Sequence, residues 1–466
     1  MPWRRRNLPN MATRRRFLKQ MVGVAAAGAA TAAGSADAEE KAPADQVAWK
    51  RRVPVRYECD VAIIGGGIAG VTSAIAAARS GARVLLVERF GVTGGNATVG
   101  GVGSFCGETA GQGAVFDDIV AGLEAFGAIA PYKPYVEKEA RVFDPEILAV
   151  VLQELLLKAG VRLLLHTQFV DAAAKNGRIR ECIVCGPGGP EAIRTRQYID
   201  CTGEAALAHA AGFETVKGRS EDGLQLPMSI MFTVRHVANS DCQTQVPENW
   251  FGAIRSESDL PMTSIWPNGP GSNAIKVKIP MFDASDTESL TAAELRGRRR
   301  MMEVLDYYQR VENKPWLLNH AAGRIGIREG RRAVGEYVLK LEDLRAGRAF
   351  DDAIARGVFY LDGHDPTNDK RTYILPPDQR QVPPYQIPFR SLVPKGSGNL
   401  LVAGRCFSAD QLALSSARVM TTCAMMGQAA GIGAAMAAKA KSTISALNGA
   451  DVRSVMEMNG AVLAVG

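Results

Sequence analysis

Gly65-Gly66-Gly67-Ile68-Ala69-Gly70 sets out a Gly-x-Gly-x-x-Gly spacing, and Glu88 follows 18 positions after its last glycine. These residue types suit the binding of a dinucleotide. The first glycine permits a tight turn, the second lets backbone approach a pyrophosphate, and the third lets a helix lie close on a strand. An acid at Glu88 accepts hydrogen bonds from ribose hydroxyls and repels an added phosphate of the NADP kind. The spacing carries this meaning only between a strand and a helix. Residues 60–64, DVAII, form an apolar run expected as a strand buried on both faces. Residues 68–80 are Ala-rich and predict a helix whose free N–H groups and positive dipole end face the phosphates, with Gly81 as C-cap. Residues 84–87, VLLV, predict a second buried strand ending at Glu88.

Other glycine-rich stretches mark backbone that must approach something flat or charged. Residues 89–98 (RFGVTGGNAT) and 99–107 (VGGVGSFCG) lie directly behind the fingerprint, so a loop covering the cofactor is expected. Asp200-Cys201-Thr202-Gly203-Glu204 closes a strand and opens a helix over 205–211, which brings a second glycine turn to the same ligand. Residues 399–405 (NLLVAGR) repeat the strand-then-glycine pattern, and Ser415-Ser416-Ala417-Arg418 leads into a helix over 419–438. That helix carries no charge, but its Ala, Gly, Thr and Cys content is poorly hydrophobic. A core helix is expected, and no membrane span in the mature chain.

The elements between these motifs sort into two bodies. Asp144 as N-cap and Pro145 at the first helical position open a helix running to about residue 158, stopped by Gly160. Strands follow at 161–166, at 169–173 and 180–185 joined by an Asn176-Gly177 hairpin turn, and at 192–199. From residue 213 to about 390 strand-like pieces (228–234, 274–279) alternate with polar loops and a charged amphipathic helix at 292–311. The expected organisation is a linker at 39–56, a first domain at 57–212, an inserted substrate domain at 213–390, the returning first domain at 391–445 and a tail at 446–466. The expected fold class is α/β: a Rossmann-like dinucleotide-binding domain built from both chain ends, with an inserted α+β substrate domain.

The net charge of +7 is concentrated at the start of the chain. Residues 1–38 hold seven cations against Asp37, a net +6 that leaves about +1 elsewhere, so the basic balance gives no indication of nucleic acid. Thr13-Arg14-Arg15-Arg16-Phe17-Leu18-Lys19, a short apolar run, and Ala36-Asp37-Ala38 resemble a twin-arginine signal with its cleavage site. Export by the twin-arginine translocase carries folded proteins, which implies a periplasmic or otherwise exported protein with its cofactor already loaded. A diffusible nicotinamide is not supplied there, so FAD is favoured over NAD. Of the eight cysteines, Cys182 and Cys185 have C-x-x-C spacing inside a strand, where residues three apart face opposite sides. That suits neither redox pairing nor a metal, and buried thiols are expected.

These segments together resemble an FAD-dependent oxidoreductase family of the glutathione-reductase-like superfamily, close to bacterial xanthan-lyase-like proteins. The fumarate reductase flavoproteins are more distantly similar. The likeness spans residues 57–438 and rests on GGGIAG with Glu88, GGNATVGGVGSFCG, FDPEILAVVLQELLLKAGV, IDCTGEAA, IREGRRAVGEYVL, YQIPFRSLVPKG, NLLVAGRC and SARVMTTCAMMGQAAG. Glu204 stands where Asp is usual, and Gly330 interrupts the Arg-Glu-x-Arg-Arg run. The resemblance implies that Gly65, Gly67, Ile68 and Gly70 hold the pyrophosphate and Glu88 the ADP ribose, followed by Arg89. It places Val170 at the adenine through its backbone, beside Thr202 and Gly203. Gly94, Gly95, Asn96, Ala97 and Thr98 would pass along the flavin, with Gly404, Arg405, Val419 and Met420 near its pyrimidine end.

Hydride transfer belongs to a flavin; protein supplies a pocket, a proton donor or acceptor and orienting charge. His364, one of five histidines, is the preferred acid/base candidate, and a structural loop histidine is its bland counterpart. Arg328, Arg331, Arg390 and Arg405 can clamp a carboxylate, or each can be an ion pair holding the fold. Cys106 can face the flavin or be buried. The expected function is oxidation of a small organic substrate, with electrons passed to a quinone or cytochrome acceptor. The alternatives are a reductase of an activated C=C bond and a non-catalytic FAD electron-relay subunit; no cysteine array for an iron–sulfur cluster accompanies the FAD motifs. Nothing in the chain supplies a lyase constellation.

Overall fold

A computed structural model describes residues 51–136, 139–236 and 245–465. The twin-arginine signal, most of the linker and Cys242 lie outside the described residues. Residues from Val53 onward form one unit.

The apolar run before the glycine turn is the end of a longer strand, β1 (Val55–Ile64), and the turn leads directly into α1 (Ile68–Arg79). Gly81, at φ +87°, reverses the chain into β2 (Val84–Val87). Asp144 caps α2 (Pro145–Lys158), its side chain accepting from the backbone N–H of Glu146 and Ile147. There follow β3 (Arg162–Leu164), β4 (Gln168–Lys175), β5 (Arg178–Gly186) and β6 (Gly189–Asp200). Asn176 and Gly177 both have positive φ, as the two-residue turn between β4 and β5 requires. Farther on come β7 (Met228–Arg235), β8 (Thr263–Gly269), β9 (Ser272–Ile279), α3 (Thr287–Arg310) and β10 (Leu317–Ala321). The chain closes with β11 (Leu400–Val402), α4 (Gln411–Ala417), α5 (Met420–Ala440) and α6 (Gly449–Met458).

The main sheet runs β3-β2-β1-β6-β5-β4, and β11 also pairs with β6. Strands β3, β2, β1, β6 and β11 are parallel neighbours, and their register aligns Leu164, Val87, Ile64, Asp200 and Val402 in one row. Each chain therefore leaves the sheet at the same edge, where ligands of open parallel sheets bind. Helix α5 covers this sheet beside α1. Side chains at Gly427 and Gly431 would collide with the α1 backbone at Ala69 and Ser73, so small residues there set how closely the helices approach. Among the described residues no single helix is long and apolar enough to cross a membrane; only α4 with α5, bent by 94°, passes as a pair, and α5 is buried nearly throughout.

A second sheet, β8-β9-β7-β10, packs on α3 around Ile230, Phe232, Ile275, Val277 and Val304. This core ends at Ile327, short of the expected boundary near residue 390. Residues Ala353–Gly357 and Tyr385–Pro388 pair as an antiparallel ribbon, and their apolar side chains join the first core instead. The expected tail contains α6, which buries Val452 and Met456 in that same core.

Candidate functional site

Four chain segments leave the aligned row and meet at a cavity of about 260 Å³. Gly65, Gly67 and Ile68 come from the end of β1, Glu88 and Arg89 from β2, Thr202 and Gly203 from β6, and Gly404 and Arg405 from β11. Gly94, Gly95, Asn96, Ala97 and Met420 complete the expected set that lines it. Glu88 is buried; its Oε2 accepts from the Gly66 N–H at 2.7 Å and its Oε1 from the Phe90 N–H at 2.9 Å. It thereby fixes the glycine turn while each oxygen keeps a further lone pair for a ligand hydroxyl. A Cβ on Gly67 would meet no protein atom. The Asp200 carboxylate organises the second glycine turn, accepting from the Thr202 N–H and hydroxyl at 2.9 and 2.7 Å and from the Ala208 N–H at 3.0 Å.

The charge around this cavity is cationic. Arg89 and Arg324 lie 3.6 and 3.7 Å from the Glu204 carboxylate, and Arg405 stands over Gly203. Burial, then the neighbouring Arg89, lowers Arg324 to about 10, and burial lowers Arg405 as well. Arg324 Nη2 and Arg405 Nη1 are buried without a hydrogen-bond partner. Unmet cationic donors, a helix N-terminus and an acid at the ribose position form a donor set that fits FAD. Sequence reasoning missed Arg324; its neighbourhood, Gly323-Arg324-Ile325-Gly326, offers no spacing that would single it out.

Six expected residues lie elsewhere. Gly70 packs α1 onto the glycine turn, since a side chain there would strike the Gly65 carbonyl. Thr98 closes its own loop by donating to the Thr93 carbonyl at 2.7 Å. Val170 sits at a break in the β4–β5 register and is 50% exposed; Thr167, Gln168 and Phe169 line the cavity in its place. Val419 caps α5 and lines a neighbouring cavity. Arg390 lines neither cavity: its Nε and Nη2 grip both oxygens of Asp352 at 2.9 and 3.1 Å, so it holds the fold. Arg331 likewise lines neither.

The neighbouring cavity, about 520 Å³, shares Asn96, Arg405, Arg418 and Met420 with the first. Its floor is the β7–β9 sheet, and the segment 359–373 closes over it. Arg328 is nine-tenths buried; its Nη1 donates to the Pro227 carbonyl and the Ser229 hydroxyl, both at 2.7 Å. Burial, then Arg418, lowers it to about 10. His364 is 2% exposed, its Nε2 3.0 Å from Asp362 Oδ1, while Nδ1 has no hydrogen-bond partner. Burial pushes His364 down to about 3 against the pull of Asp362, so the ring is neutral at physiological pH. Its contact with Asp362 assigns the proton to Nε2 and leaves Nδ1 an acceptor. Burial opposes ionisation of Asp362, but His364 and Arg418, the latter at 2.7 Å, outweigh it and hold the carboxyl well below its usual range. The sequence signalled His364 and Arg328. It marked Asp362 only as a neighbour of His364 in a polar cluster, and gave no sign of Lys276 or Tyr360 as cavity residues, because the other walls of the cavity arrive from distant segments.

Among solved structures, the anhydrotetracycline hydroxylase OxyS from Streptomyces rimosus is 14% identical, with a TM-score of 0.45, over 86% of this chain and 68% of that one. A geranylgeranyl bacteriochlorophyll reductase-like protein from Thermoplasma acidophilum is 11% identical, with a TM-score of 0.45, over 88% and 94%. The myxobacterial chondrochloren halogenase CndH is 13% identical, with a TM-score of 0.44, over 87% and 79%. No curated protein matches the chain. The sequence profile of the FAD dependent oxidoreductase family matches residues 60–456. The chain belongs to that family and is an FAD-dependent oxidoreductase.

Proposed function

We propose that this enzyme, within the glutathione-reductase-like superfamily, is exported by the twin-arginine route and oxidises a small organic substrate in the periplasm. Its electrons pass to a quinone or cytochrome carrier. The reading rests on one observation: a 520 Å³ cavity, rich in cationic side chains, shares four wall residues with the cavity that suits FAD. When bound, FAD supplies a two-electron acceptor for a hydride. The pyrophosphate falls to Gly65, Gly67 and Ile68, the ribose to Glu88, and the ring end to Asn96, Gly404, Arg405 and Met420. In the larger cavity Arg328 orients the substrate, and His364 Nδ1 accepts a hydrogen bond from it. Arg418 holds Asp362 in place, which keeps the His364 ring from turning.

Purified holoenzyme mixed anaerobically with small acids, alcohols and amines is expected to lose its visible flavin absorption with one of these classes. Retention of the colour with every class would overturn the reading. The cationic lining also suits an unsaturated acid, so reduction of an activated C=C bond is the second reading. Reduced viologen oxidised by such an acid, with no substrate bleaching the flavin, would favour it.

A further inference from the structure

Lys276 and Lys278 stand two residues apart on β9 and project from the same face. Lys278 is satisfied: its Nζ donates to the carbonyls of Asn368 and Arg371 at 2.6 and 2.7 Å. Lys276 lines the larger cavity and has no hydrogen-bond or ion-pair partner among the described residues. Ser264 and Met231 flank it in register on the adjacent strands and line the same space. Arg328 faces that space too, bonded to a carbonyl and a hydroxyl but to no carboxylate. The one carboxylate in the lining, Asp362, is already engaged by Arg418 and His364. The buried Arg328 and the half-buried Lys276 thus face one cavity without an anion, an arrangement that is costly for Arg328 unless a ligand provides one.

We infer that this cavity takes a small carboxylic acid bearing an oxidisable hydroxyl or amine, with Arg328 seating the carboxylate and Lys276 accepting the proton released from the hydroxyl or amino group. The inference rests on the oxidation reading above and names its substrate class. For a hydroxy acid, the O–H bond breaks and its proton forms the new N–H bond on neutral Lys276. The electron pair left on oxygen becomes the carbonyl π bond, as the hydrogen on the adjacent carbon departs with its pair to the enzyme's FAD. Burial, then Arg328, lowers Lys276 to about 8, a useful range for proton exchange near neutrality. His364, held near 3, is far too weak a base to compete. The other groups facing Lys276 are Arg418, which lowers it further, and Asp362 and Cys106, which raise it. Burial keeps the Cys106 thiol and the Tyr360 hydroxyl protonated.

Binding of a carboxylate favours the protonated amine, which sets the sign of the test. Propionate, which cannot be oxidised this way, is titrated into wild-type holoenzyme and the Lys276→Arg, Lys276→Met and Arg328→Met variants from pH 6 to 10, by calorimetry and flavin absorption. Wild-type affinity is expected to fall above pH about 8, by up to roughly tenfold per pH unit. Lys276→Arg should bind at every pH without that fall, and Arg328→Met should bind roughly a hundredfold or more weakly. With an oxidisable hydroxy or amino acid, flavin reduction in saturated wild-type enzyme should speed up with pH while affinity drops. Lys276→Arg and Lys276→Met should each slow reduction by roughly a hundred- to ten-thousandfold. Propionate binding indifferent to both residues, or an unaltered rate profile in Lys276→Met, would overturn the inference. If propionate behaves as expected but no compound reduces the flavin, the oxidation reading falls and the carboxylate site stands. If a neutral alcohol reduces the enzyme and propionate does not bind, the reverse holds.

Discussion

His364 donates from Nε2 to Asp362, and its buried Nδ1 has no hydrogen-bond partner within the protein, so burial decides its charge. The folded value of about 3 lies below the ordinary 6.5. Between those limits the unfolded chain binds a proton that the folded chain refuses, and stability falls as pH falls. Asp362 acts in a lower window, below its ordinary 3.8. In urea unfolding from pH 6.5 to 4, His364→Gln should therefore lose stability less steeply than wild type, by at most about 1.4 kcal/mol per pH unit. An unchanged slope would show that the ring is protonated in the native state. His364 stands out in the sequence because histidines are few and this one sits among acids. Lys276 does not: Ala274-Ile275-Lys276-Val277-Lys278-Ile279 alternates like a strand with one face in water. The segment 359–373 covers that face, and no local pattern announces a cover that arrives from so far along the chain.

At the scale of elements, two residues remote in sequence, Glu204 and Gly330, meet. Gly330 follows β10 and Glu204 follows β6, yet a Cβ on Gly330 would lie 2.9 Å from the Glu204 Cγ. Glu204 spans Arg89 and Arg324, so displacing it disturbs both cations at the FAD cavity. Gly330 has no positive φ that would itself forbid a side chain, which isolates the contact as the cause. Gly330→Ala is expected to weaken FAD binding and lower thermal stability in wild type, but far less in a Glu204→Ala background. The coupling energy from the double-mutant cycle should be about 1 kcal/mol or more; additive effects would break the link. The helices and strands around this contact were legible because their caps and periodicities are local: Asp144-Pro145, Asn176-Gly177 and the Ala- and Gly-rich run of α5 each declare themselves. The break between α4 and α5 and the return of the 353–357 ribbon to the first core were not, since both follow from packing against residues remote in sequence.

Across the whole molecule, the cofactor cavity closes only when β11 pairs with β6, joining positions near 65 to positions near 404. A ligand spanning that junction stabilises the native chain in proportion to its binding, by about 2.7 kcal/mol at a hundredfold excess over its Kd. The contributions of the two ligand halves differ. The glycine turn, the start of α1 and Glu88 are fixed by hydrogen bonds within the protein and stand ready for an adenosine diphosphate. The ring end instead presents the unmet Arg405 donor and depends on the α5 N-terminus being seated. Apoprotein stripped of cofactor should therefore show an unfolding midpoint that rises with FAD concentration, rises part of the way with ADP, and responds least to FMN. Each ligand should be titrated in a thermal melt followed by circular dichroism, so that the readout is independent of turnover. Protection by FMN equal to FAD, with none from ADP, would mean that the glycine turn is not where binding energy is gathered, and the assignment of Gly65, Gly67 and Glu88 would fall with it.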